Sequence, residues 1–242
     1  MAIPVARANE GPKDLKNGYG EVEWLNGTHK LVHGFKCALK AGQTHKAKLY
    51  ADKTIVYIFS KGVGYITTEH KAYNIDEEVC FFIPDFEAEK YSIYAVTDME
   101  YMMVVVDMVA SDKAAYENCH MILPVFKRLS QAEPYTQSCK GPHTRSWSIV
   151  HPGNLARVLI GVVESEGEAD GTFEKGHPSV DQWNYTLPGA DFTLCVDNKD
   201  KIQHHEGEWS YVKAGLDHQL SGKKTYYVWF EHKTAEIPSG SH

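Results

Sequence analysis

The chain is poor in the features that most quickly place a protein. Its 242 residues include five cysteines, scattered and without CxxC spacing, which indicates neither a disulfide framework nor a zinc knuckle. No apolar run approaches the roughly 20 residues of a membrane-spanning helix; the longest, around Met102–Val106, is strand-sized. Blocks of lysine and arginine are missing, and a net charge of -7 argues against a nucleic-acid or anionic-membrane partner. The first residues, MAIPVARANEGPKD, lack the apolar segment of a secretory signal. A reducing, cytoplasmic setting is the expectation. A chain of this length fits one large domain or two of about 100–150 residues each. The last residues, IPSGSH after Glu236, read as a linker or tag remnant.

Helical signal is scarce too. One segment, Asp112–Leu123, predicts a helix, with Ser111 or Asp112 as its N-cap and Pro124 as its stop. Strand signals dominate instead. Lys53–Ser60, Val79–Ile83, Tyr101–Val106, Arg157–Val163, Gln182–Leu187, Trp209–Val212 and Thr225–Phe230 are β-branched and aromatic runs bounded by Gly, Pro, Asp or Asn. Many short strands at turn-punctuated spacing predict an all-β sandwich or closed barrel rather than βαβ units. The break falls between Asp107 and Arg145, where Glu133–Thr144 has the Pro/Gly/Ser/Thr composition of a joining loop.

The two halves look like copies. The first half runs from Gly42 and His45 through a strand closed at Gly62 to Pro84 and Glu89; the second runs from Gly171 and His177 through a strand closed at Gly189 to Lys213, Gly215 and His218. The expected division is residues 1–108, a helical linker at 109–145, a second domain at 146–236 and a tail at 237–242. In the second half, GTFEKGHPSVDQWNYTLPG and GEWSYVKAGLDHQLSG place a histidine at a fixed distance after a glycine, then run a strand into a glycine turn.

These residues resemble the two motifs of the cupin superfamily, and the chain as a whole resembles a bicupin. The family's first motif, G-x5-H-x-H-x3,4-E-x6-G, is met by Gly171, His177, Gln182 and Gly189, with Pro178 or Ser179 at the second histidine and Gln182 in place of glutamate. The second, G-x5-P-x-G-x2-H-x3-N, is met by Gly207, Gly215 and His218, with Lys213 for proline and Gly222 for asparagine. The resemblance implies two double-stranded β-helix (jelly-roll) barrels related by internal duplication. It also implies a divalent metal, Mn, Fe, Ni or Zn, held by His177, Gln182 and His218. In the first half Ile55 occupies the acidic position and Glu89 that of the final histidine. A hydrophobe and a lone carboxylate make a poor metal site, so that barrel is expected to be structural.

Strand alternation puts Gln182 and Asn184 on one face, giving two neutral amides beside the histidines, with Asn184 expected to bind substrate. Asp181 would face away unless a bulge turns it inward as a substitute ligand or general base. Of His204 and His205, alternation sends one inward as a proton shuttle; His205 is the candidate carried here. A neutral shell suits Lewis-acid chemistry. The expected function is a metal-dependent enzyme of isomerase, lyase or hydrolase type. Its substrate would be a small polar, oxygen-rich metabolite such as a sugar derivative or a hydroxy or ureido acid. The alternatives are a metal-free ligand-binding or regulatory bicupin, a non-haem iron dioxygenase, or, more remotely, a storage scaffold. A monomer of two barrels and a homodimer are both compatible with the Tyr-rich strands.

Overall fold

The computed structural model describes residues 2–76, 78–85, 89–118 and 121–236; the expected tail at 237–242 lies outside them. Among the described residues all strand pairing is antiparallel, in three sheets of nine, six and four strands. No described helix is long and apolar enough to cross a membrane. The described residues divide into two compact units. One comprises those of Asn9–Lys113 and Met121–Gln131, the other those of Met1–Ala8, Ala114–His120 and Ala132–His242.

The first unit is a sandwich of two sheets. The larger follows the order Val125–Arg128, Cys80–Ile83, Lys53–Lys61, Met99–Asp107, Val32–Leu39, Tyr19–Trp24. The smaller follows Thr44–Lys46, Tyr91–Ala95, Gly64–Thr68, Ala72–Ile75. Their facing sides bury one apolar cluster that includes Tyr57, Phe59, Phe82, Tyr91 and Tyr101. Ring centroids are 5.0 Å apart for Phe59–Tyr101 and 5.3 Å for Phe82–Tyr91, inside the range of favourable aromatic pairs. Tyr57 and Tyr91 satisfy each other's hydroxyls at 2.9 Å. Ile55 is buried in this cluster, while His45 stacks on Tyr19 at 3.6 Å and Glu89 accepts the His70 backbone amide. The interior is filled by side chains.

The second unit winds around its long final strand, His218–Lys233. One side of that strand pairs along Val158–Glu174. The other side pairs first with Asp191–Val196 and then with Val180–Thr186, so a single strand serves two neighbours and curves the sheet. Trp209–Val212 pairs with Val180–Thr186, and the N-terminal pair Val5–Ala6 adds to its far edge. The chain start therefore belongs with the C-terminal unit, a displacement from the expected boundaries.

The 109–145 region also departs from a simple helical linker. Its helix is Ala110–Glu117, shorter than expected, and residues 119–120 lie outside the described part. Asp112 is not the N-cap: it accepts from the Val109 backbone amide at 3.1 Å, the reciprocal half of a capping box. Downstream, Val125–Arg128 pairs with Cys80–Ile83 and Glu133–Pro134 pairs with Trp147–Ser148.

Candidate metal centre

Two loops bring the predicted histidines together. His177 follows Val158–Glu174, and His218 opens the long final strand. The Gly215 amide donates to the His177 carbonyl at 3.0 Å, and the Gly176 amide donates to Asp217 Oδ1 at 2.8 Å. The loops touch so closely that a Cβ on Gly176 would fall 2.4 Å from the Gly215 carbonyl, so only glycine fits there. The His177 and His218 rings meet edge to face, 5.4 Å between centroids.

The polarity of both rings is set by backbone. His177 Nδ1 lies 3.2 Å from the Val180 carbonyl and His218 Nδ1 lies 3.1 Å from that of Leu216. A carbonyl only accepts, so each Nδ1 carries the proton when the ring is neutral. Each Nε2 then presents its lone pair, the arrangement usual for a metal-ligating histidine. Both Nε2 atoms are buried without a hydrogen-bond partner. They converge on Glu174, whose Oε2 lies 3.6 Å from His177 Nε2 and 3.4 Å from His218 Nε2. One ligand atom from each of the three residues falls within 4.8 Å of the other two.

Glu174 was not among the residues singled out in the sequence, and it corrects the expectation of a neutral shell. Burial works to raise its carboxyl, but the two histidines at ion-pair distance outweigh that and hold it well below the usual range. His177 is raised to about 9, first by the Glu174 carboxylate beside it, with burial opposing. Glu231 lies 3.7 Å from His177 Nε2, and burial pushes its carboxyl up.

The cluster opens on a cavity of about 670 Å³, a size suited to a small organic ligand. Gln182 lines it beside Glu174, His177 and Glu231. Its Nε2 donates to Asn184 Oδ1 at 2.8 Å, which leaves Gln182 Oε1 and Asn184 Nδ2 buried and unpartnered. A further wall comes from the segment expected to be a joining loop: Tyr135, Gln137 and Cys139 line the cavity, and Cys139 Sγ donates to Glu174 Oε1 at 3.6 Å. That segment is sewn to the barrel by Phe173 N→Cys139 O at 2.8 Å and Gly141 N→Gly171 O at 3.0 Å. On the rim, His151 bridges Ser148 Oγ at 3.2 Å and Glu133 at 3.2 Å.

Two expected catalytic residues lie elsewhere. Asp181 is buried on the opposite side of its strand, with Oδ1 accepting from Tyr211 Oη at 2.6 Å and the Ala214 amide at 3.0 Å. No bulge interrupts its pairing with His218–Lys233, so regular alternation turns it away from Gln182. It braces the turn before His218. His205 is exposed, 3.7 Å from Asp191. Its neighbour His204 points inward instead, bonding Glu208 at 2.9 Å, and Glu208 in turn is bound by Arg7.

No family model and no curated protein matches the sequence. Solved structures do match the fold. An oxalate decarboxylase of Lactobacillus farciminis, solved with formate, superposes with a TM-score of 0.70 at 11% identity, covering 98% of this chain and 87% of that one. An oxalate decarboxylase of Bacillus subtilis gives 0.68 at 13%, covering 99% and 79%. A protein of Pseudomonas aeruginosa described as glyoxylate-induced gives 0.78 at 10%, covering 100% and 92%. At such identities the likeness is one of fold, and it agrees with the all-β architecture and the placement of the motif histidines: this chain has a cupin-type fold.

Proposed function

We propose that this chain is a metal-dependent cupin enzyme acting on a small polar acid, with its reaction centre in the C-terminal unit. The observation that carries the reading is the convergence of two buried, unpartnered histidine Nε2 atoms on Glu174. Burying such groups without a partner costs about 1–3 kcal/mol each, and a divalent ion is the partner that suits two imidazoles and a carboxylate. Glu174, His177 and His218 would hold it, with Gln182 Oε1 as a neighbouring oxygen donor. When bound, the ion supplies a Lewis acid for an oxygen-rich substrate. The structural neighbours named for oxalate decarboxylation are consistent with a small acid as the substrate class.

The remaining residues orient and enclose the substrate. Asn184 holds the Gln182 side chain through the bond to its Nε2, which fixes Gln182 Oε1 at the cavity, and Trp229 and Leu159 supply apolar wall. The reading includes an internal duplication whose first copy has lost its site, supported by the glycine and histidine spacing of the two halves. A second reading is favoured by Glu174 itself: two histidines and one carboxylate form the ligand set of non-haem iron oxygenases. Incubating the protein loaded separately with Mn(II) and Fe(II) with a panel of hydroxy, keto and dicarboxylic acids, followed by NMR, tests both. Turnover without oxygen supports the first reading, and turnover that requires Fe(II) and oxygen supports the second. Absence of turnover across the panel in both metal forms counts against the assignment of a small acid substrate.

A further inference from the structure

Tyr135 is built into the cavity wall in a way that the metal cluster does not require. Its hydroxyl accepts a hydrogen bond from Lys140 Nζ at 2.6 Å, and Lys140 is held in turn by Ser146 Oγ at 3.0 Å. An ammonium only donates, so the Tyr135 oxygen accepts from Lys140 and its hydroxyl proton remains to be donated elsewhere. The neighbours of Tyr135 are fixed. Lys140 lies 4.2 Å from the Tyr135 ring centre and forms a backbone bridge to Thr172. Trp229 packs against Gly161, where a Cβ would fall 2.2 Å from its Cζ2. Tyr135 and Trp229 both line the cavity that holds Glu174 and His177.

We propose that Tyr135, positioned by Lys140 and Trp229, is an oxyanion subsite: its hydroxyl donates to a negatively charged oxygen of the ligand, so that the cavity selects a carboxylate. The ammonium behind the phenol makes an anion the preferred acceptor, since hydrogen bonds with ionised partners are roughly twice as strong as neutral ones. The lining side chains nearest the cluster include the carboxylates Glu174 and Glu231, so a ligand with one carboxylate fits better than a dianion. Tyr135 is the contacting residue, and Lys140 is a positioning residue that acts through it. The inference deepens the reading of this cavity as the substrate site, and it rests on that reading for the identity of the ligand but not for the donor itself.

Glycolate serves as the probe, titrated calorimetrically into metal-free and Mn(II)-loaded protein. The Tyr135→Phe variant is expected to bind it about tenfold or more weakly, the range for losing a hydrogen bond to a charged group, with unchanged metal content. Lys140→Met is expected to weaken binding in the wild-type background and to have no further effect in Tyr135→Phe; a purely structural lysine would act equally in both. Equal glycolate affinity in wild type and Tyr135→Phe overturns the subsite. So does a wild type that binds no glycolate in either form. Protein that takes up no Mn(II) but shows the Tyr135-dependent loss retires the metal centre and leaves the subsite standing.

Discussion

The two units of this chain solve the interior of a β-sandwich in opposite ways. In the first, the space between the sheets is filled by Tyr57, Phe59, Phe82, Tyr91 and Tyr101, and Ile55 stands where the motif asks for an acid. In the second, the interior carries Gln182, Asn184, His204 and His218 among its buried side chains, and a cavity opens beside them. Among the described residues, three buried polar or charged side chains belong to the first unit and sixteen to the second. Aromatic filling maximises buried apolar area and contact. A polar interior forfeits part of that and leaves unpartnered atoms such as His177 Nε2 and Asn184 Nδ2. The contrast sets an interior built for apolar contact against one that keeps polar groups beside a cavity.

Breaking the filled interior should have the largest effect. Phe59→Ala or Tyr57→Ala is expected to destabilise the first unit by about 3–5 kcal/mol while leaving the metal content of the second unchanged, measured by denaturant titration beside elemental analysis. A matching loss of metal would show that the two units do not divide the work. Next in size is the brace behind the site. Asp181→Ala removes the acceptor of the Tyr211 hydroxyl and the Ala214 amide, and should cost about 1–3 kcal/mol of stability. It should weaken metal affinity about tenfold, as removal of an outer-shell partner does. Were Asp181 a ligand, the metal loss would be far greater and the Asp181→Asn variant would not restore it.

Proton competition gives the third effect. In the metal-free state His177 stays protonated up to about 9, and the metal requires it neutral. Metal affinity should therefore rise about tenfold per pH unit through the neutral range and level off near pH 9. The stability of metal-free protein should run the other way. The raised His177 contributes fully below its ordinary 6.5 and loses that contribution as the pH climbs toward 9, while the depressed Glu174 contributes above its ordinary 4.5 and loses it on acidification. Thermal melts from about pH 2 to 9, with metal titrations through the neutral range, separate these trends. The smallest expected effect is that of His205→Ala, within about 0.5 kcal/mol and silent for metal content, as for other exposed substitutions.

Much of the architecture was legible in the sequence because β-branched and aromatic runs between turn residues leave few alternatives to strands. Trp209–Val212 is identical in sequence and structure; Lys53–Ser60, Tyr101–Val106 and Thr225–Phe230 are recovered with longer ends, Val79–Ile83 is found one residue shorter, and Arg157–Val163 and Gln182–Leu187 are found with shifted ends. His177 and His218 were legible because each sits at a fixed distance from a glycine whose backbone the fold needs. Glu174 was hidden inside the same motif, at a position where the spacing pattern specifies no residue type. Glu231 was hidden for another reason: it reaches the cavity by pairing across strands with Gln182, 49 residues earlier by the numbering. Parity decided the rest. Alternation requires that one of His204 and His205 point inward, but not which, and the register gives His204. The wall carrying Tyr135 and Cys139 was invisible because its composition is that of a loop, and backbone bonds to Ser146, Gly171 and Phe173 make it part of the barrel.

The most direct test of the account is the metal content of untagged protein, purified without chelators and then reconstituted, compared with Glu174→Ala, His177→Ala, His218→Ala and Gln182→Ala. The account predicts close to one equivalent of a first-row divalent metal in the wild type, its loss in the first three variants, and partial retention in Gln182→Ala. Metal-free wild type after reconstitution, or full occupancy in Glu174→Ala, would contradict it.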